Sequence, residues 1–139
     1  LTGKPGLSDN IHGLSILDRF LEHSRIFYFF NNGEEEIFIS SADWMERNLH
    51  FRVETLIPIY DPQIKEIFKT LLQIQLQDNV KARSLDYGKV NEYKTSDYDL
   101  AVRSQVETYY YIKRMTETFY AKKTEEKKKS RAPKSQSNN

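Results

Sequence analysis

His23-Ser24-Arg25 places an imidazole and a guanidinium two residues apart. On an extended strand such residues share a face, with Cα atoms roughly 7 Å apart and room for one phosphate between them. Imidazole can attack phosphorus or pass a proton near neutral pH. Guanidinium offers a planar fork of N–H donors that matches a phosphate. A serine hydroxyl and a carboxylate from a neighbouring strand, Ser41 and Asp43, would orient the ring and fix its tautomer. The bland alternative is a surface or satisfied-core pair. Arg47, Asn48 and Arg52 follow, either as a solvated turn or as a cluster that neutralises a polyanion, the main task in phosphoryl transfer. His12 and His50 lack comparable neighbours and read as structural. Gly3-Lys4-Pro5-Gly6 is no phosphate loop, because the downstream Gly-Lys-Ser/Thr is missing. No His or carboxylate spacing indicates a metal cage. Tyr109-Tyr110-Tyr111 reads as a helix face with a core side and a rim, with a stacking platform as the alternative.

The elements that must position these groups are extended runs over His23–Phe30, Glu36–Ser41 and Arg52–Ile59, rich in Ile and Phe. The first two are joined through Asn31-Asn32-Gly33-Glu34, and the register decides the site. A two-residue loop at Asn32-Gly33 pairs Asn31 with Glu34 and His23 with Ala42, sending Ser41 and Asp43 to the other face. An odd loop pairs Phe29 with Ile37, Arg25 with Ser41 and His23 with Asp43, all on one face. A shared site requires the second, so an odd loop with Gly33 at positive φ is expected.

Upstream, Ser8 reads as an N-cap, and Ile11, Leu14, Leu17 and Leu21 predict a helix over Asp9–Glu22. Downstream, Trp44–His50 is a turn or short helix, and Pro58 ends or edges the third strand. Asp61-Pro62 starts a helix running to about Asp78. Lys81–Leu85 is extended, Tyr87–Asp97 a loop, and Leu100–Tyr120 a final helix. Strands followed by helices, with both strand faces apolar, predict an α/β layer fold.

A hydrophobic share of 38% supports one domain with a core of moderate size. The mean hydropathy of -0.72 is low for a compact fold, and the Lys-rich end accounts for much of it. Residues 121–139 hold no apolar group large enough to anchor them, so a disordered basic tail is expected there. Such a tail can solubilise the chain or brush against polyphosphate, nucleic acid or anionic lipid. With no cysteine, disulfides, thiolate ligands and a Cys nucleophile are excluded, which suits a reducing cytoplasm. No apolar run approaches the roughly 20 residues that span a bilayer.

His23-x-Arg25, Asn31 or Asn32, Ser40-Ser41-Ala42-Asp43 and Glu54 follow the order of a phospholipase D half-site, which has His-x-Lys, Asp, Gly-Ser-x-Asn and a later Glu. A closer resemblance lies in Ser8–Phe29, Glu35–Pro62 and Leu76–Arg83, with Ser-Ala-Asp-Trp-Met-x-Arg-Asn at Ser41–Asn48 the most specific run. These blocks resemble the C-terminal part of bacterial polyphosphate kinases. The resemblance implies a phospholipase D-like layered sheet flanked by helices, lacking its first strands. Residues 1–120 would be that partial domain. It implies reversible transfer of the ATP γ-phosphate onto inorganic polyphosphate, with Mg²⁺ and a phosphohistidine held in another domain. His23 would be the second active-site histidine, facing the nucleotide phosphates. Arg25, Arg47 and Asn48 would bind ATP or phosphate, and Ser41, Asp43 and Glu54 would orient them, with no metal ligand in this stretch. Expected partners are ATP, inorganic polyphosphate, the remaining domains of the same protein and further copies of the complete enzyme. No specific nucleic acid is expected. Location would be cytoplasmic, with weak peripheral membrane association as a further expectation. A catalytically silent docking module is the alternative. A phospholipase D-like hydrolase is a third reading, opposed by the Lys-to-Arg and Asn-to-Asp changes.

Overall fold

A computed structural model of the chain describes residues 1–95 and 100–131, with side chains as far as residue 127. The elements in chain order are β1 (Leu14–Ile16), β2 (Ile26–Phe29), a 3-10 turn (Asn31–Gly33), β3 (Glu36–Ser40), α1 (Glu46–Phe51), β4 (Leu56–Pro58), α2 (Pro62–Gln77), β5 (Ala82–Ser84) and α3 (Ser104–Arg131). The mixed α/β class follows the expectation. The strands form two antiparallel sheets, β1-β5 and β2-β3-β4. The chain divides into two units, residues 1–105 and residues 106 onward.

In the three-stranded sheet Tyr28 pairs with Ile37, Ile26 with Ile39, and Ile39 with Ile57, so these five share one face. Ile37 is only 1% exposed and anchors the core. The other face carries Phe27 opposite Phe38 and Phe29 opposite Glu36. Helix α2 lies toward the isoleucine face. A groove there is lined by Ile26 and Tyr28 from the sheet, Leu14 and Ile16 from β1, and Leu72 and Leu76 from α2. Glu35, at the hairpin bend, ties down that arrangement: its carboxylate accepts two bonds from the Lys69 ammonium at 2.7 and 2.9 Å and one from the Tyr28 hydroxyl at 2.8 Å.

Helix α2 begins as its sequence predicts. Asp61 caps it, accepting from the amides of Gln63 at 2.8 Å and Ile64 at 3.1 Å, with Pro62 where no amide is needed. At its other end the Lys94 ammonium donates to the Leu76 carbonyl, a cation where the helix dipole is negative. The next residues form a joint around Asp78, which is fully buried. One carboxylate oxygen accepts from the amides of Val80, Lys81 and Ala82 at 3.0, 2.6 and 3.0 Å, and the other accepts from the Ser104 amide at 2.7 Å. Burial pushes its pKa up, but these donors outweigh it and hold the carboxyl below its ordinary value. Nearby, the Arg103 guanidinium forks onto Asp18 at 2.8 and 2.6 Å and lowers that carboxyl to about 2.

Three expectations are corrected. Asp9–Glu22 is not a helix: Leu14, Ser15 and Ile16 pair with Ser84, Arg83 and Ala82 as β1. Ser8 does not cap a helix; it accepts from the Lys4 amide and donates to the Leu1 carbonyl. The hairpin takes the even register, with residues 30–35 connecting Phe29 to its partner Glu36. That register, rather than the odd one, gathers the isoleucines toward α2. Asn31 and Asn32 join Gly33 at positive φ, with angles of 45, 55 and 99°. Helix α3 runs on through residues 121–131. Lys, Glu and Ala are strong helix formers, and that local preference carries the helix on. Residues 132–139 of the expected tail and 96–97 of the expected loop lie outside the described residues, as do 98 and 99.

Candidate functional site

The sheet end where β2 starts and β3 stops gathers most of the ionisable groups singled out in the sequence. Arg25 stays in the ladder, its carbonyl accepting from the Ser40 amide at 3.0 Å. Its Nε donates to Asp43 Oδ1 at 2.6 Å, and a terminal nitrogen donates to His23 Nε2 at 2.5 Å. A guanidinium only donates, so His23 Nε2 is here the unprotonated, accepting nitrogen. The ring is 70% exposed, and its Nε2 lies 4.0 Å from Asp43 Oδ1. The two contacts use two of the five guanidinium N–H groups, leaving an oriented fork with donors to spare.

His23, Arg25 and Asp43 therefore come together as expected, though by another route. In the observed register Ser40, not Ser41, faces Arg25. Asp43 reaches the guanidinium because the chain leaves β3 at Ser40 and bends back over the sheet end. Asp43 orients Arg25 rather than the imidazole. The hydrogen bond from Arg25 holds the Asp43 carboxyl below its usual range, with the charges of Arg25 and Arg47 adding to the effect. Arg47 makes no hydrogen bond or ion pair among the described residues and is exposed.

A second network sits alongside. Glu54 accepts from the Ser41 hydroxyl at 2.5 Å and from the Asn48 amide at 2.7 Å, which together lower its pKa. Ser41 Oγ also accepts from the Thr55 amide at 3.0 Å. Ser41 is thus turned toward β4 and away from His23. Asn48 is 4% exposed with its amide nitrogen committed to Glu54, while its Oδ1 has no partner among the described residues. Among the described residues no three His, Asp or Glu side chains could share a metal ion. Asp43 and Glu54, already bonded to their own donors, offer no metal-holding set.

Residues 1–105 match the family model for polyphosphate kinase C-terminal domain 2. The chain belongs to the polyphosphate kinase C-terminal domain family. It is 47% identical over 111 residues to the polyphosphate kinase of Vibrio cholerae, covering 80% of this chain and 16% of that one. It is 44% identical over 108 residues to the Klebsiella pneumoniae polyphosphate kinase, covering 78% of this chain and 16% of the relative. The fold is similar to the crystal structure of polyphosphate kinase from Porphyromonas gingivalis, with a TM-score of 0.75 and 47% identity over 80% of this chain and 17% of that one. The chain thus spans about a sixth of the relatives it matches.

Within this polyphosphate kinase domain, sequence reasoning overlooked two features. The Asp78 joint was absent from it, although an Asp-Asn pair just after a helical stripe is a turn signal. The other is Trp44, whose ring stacks on Phe27 with centroids 6.1 Å apart and planes at 28°. No helix among the described residues is long and apolar enough to cross a membrane.

Proposed function

We propose that this chain is the part of a polyphosphate kinase that receives the phosphates of ATP, in an enzyme that moves the γ-phosphate reversibly onto inorganic polyphosphate through a phosphohistidine in another domain. The observation that carries the reading is the shared fork of Arg25, held by Asp43 on one side and touching an exposed His23 on the other. A phosphate oxygen arriving at this fork takes the N–H that His23 accepts and frees the imidazole lone pair. His23 then serves as a phosphate ligand or as a proton carrier for the transfer. Arg25 and the exposed Arg47 neutralise charge on the phosphates. Ser41, Asn48 and Glu54 brace the bend that brings Asp43 back to Arg25. Asn48 therefore acts in this reading by positioning, not by touching phosphate. Mg²⁺ accompanying the nucleotide would find its ligands outside this stretch, and no step here runs through it.

The remaining domains supply the phosphorylated histidine, and the complete protein works as a homo-oligomer in the cytoplasm. Its basic final helix provides a weak peripheral contact with anionic membranes and no specific nucleic-acid site. The test is His23→Ala in the complete enzyme. Polyphosphate synthesis should fall about a hundredfold or more, the ordinary contribution of a positioned acid–base group. An unchanged rate would make the module a silent docking element, the second reading. The 139-residue chain alone should catalyse no ATP-to-polyphosphate transfer.

A further inference from the structure

Trp44 is the chain's single tryptophan, and it is 81% exposed. An indole contributes little to a core from that position, yet it is not loose. One face is stacked on the half-buried Phe27, and the backbone on either side is pinned by a 2.8 Å bond from the Met45 amide to the Asp43 carbonyl. Asp43, its neighbour in sequence, is the carboxylate that grips Arg25. Phe27 lies two residues beyond Arg25 on the same strand, hence on the same face and roughly 7 Å along it. The fork and the indole are therefore adjacent on one side of the sheet. A charged donor set beside a rigid, open aromatic plane suits a ligand that carries phosphates at one end and a flat ring at the other.

We infer that Trp44 is the base-stacking platform of this site, so that it admits a purine nucleoside polyphosphate in preference to a bare phosphate chain. The inference rests on the phosphate-binding reading above and adds to it a means of discrimination. Inorganic polyphosphate carries only the charges that Arg25 reads, whereas ATP adds a π-face. Aromatic stacking gains free energy from a base and nothing from a phosphate. The indole is then a specificity determinant and takes no part in the chemistry.

Because there is one tryptophan, its emission reports on one place. The 139-residue chain is titrated with ATP, adenosine and tripolyphosphate while indole fluorescence and calorimetric binding are followed. ATP and adenosine should quench the emission; tripolyphosphate should bind without quenching and should reverse the ATP signal by competition. In Trp44→Leu, ATP affinity should fall about tenfold while tripolyphosphate affinity stays the same, and Trp44→Phe should recover part of the loss. Circular dichroism shows whether each variant keeps its fold. Tripolyphosphate binding with ATP affinity indifferent to Trp44→Leu would overturn the platform and leave the phosphate reading standing. An equal loss for both ligands would reduce Trp44 to a prop for the Asp43 bend, which also overturns it. Failure of the unaltered chain to bind either ligand sinks both readings.

Discussion

Asp78 and Asp43 are both carboxylates held below their ordinary pKa, and they do opposite things. Asp78 is sealed from water, and its four listening donors are backbone amides that cannot move without unfolding the turn. Asp43 is one-third exposed and bound to one flexible side chain, Arg25, which is itself shared with His23. Backbone donors produce a fixed joint, whereas a side-chain donor produces a contact that a competing anion can exchange. Where a carboxylate finds its donors separates scaffold from site.

The largest effect should come from the joint. Asp78→Ala leaves buried amides without an acceptor and should cost about 3 kcal/mol, read from the urea midpoint. Any fall in phosphate binding should then follow the unfolded fraction. Arg25→Ala should act in the reverse pattern: tripolyphosphate affinity drops about tenfold while the urea midpoint scarcely moves. In that variant the Asp43 carboxyl, followed by carbon-detected NMR, should titrate higher, back toward the ordinary value. A large loss of stability there would erase the distinction between the two carboxylates.

The smallest effect has the opposite sign. Asp43→Asn removes a negative charge beside the incoming phosphate and should tighten tripolyphosphate binding about fivefold, in line with about 1 kcal/mol for two charges near 4 Å in water. Acid should mimic it, because protonating Asp43 releases the fork. Its folded pKa is depressed, so the stability from its pairing with Arg25 is complete above the ordinary carboxylate value and is lost as pH falls through the lowered one. Phosphate affinity should rise over that same interval.

Much of the scaffold was legible locally. The Asp61-Pro62 start, the stripe that follows it and the three Ile- and Phe-rich strands each rest on neighbours in sequence, and each is present. The first segment was misread because Ile11, Leu14, Leu17 and Leu21 do keep helical spacing. Pairing with β5, from residues far along the chain, outweighed that weak preference. The hairpin register was misread for a different reason. A shared site favours the odd register, while the fold takes the even one, which puts Ile26, Ile37, Ile39 and Ile57 on the face toward α2. His23, Arg25 and Asp43 still met, because the bend after Ser40 supplied what the register did not. Residue types revealed the chemistry; the Asp43-to-Arg25 orientation and the Ser41–Glu54–Asn48 brace depend on a path that no spacing rule encodes.

The pairing of Leu14 with Ser84 has a consequence for synthesis. Among the described residues β1 has no strand partner except β5, so the ribosome must deliver Ser84 before Leu14 can settle. Closing so long a loop is slow compared with forming the β2–β3 ribbon or α2. The approach to His23 is made well before its strand partner and is among the last parts of this domain to find its place.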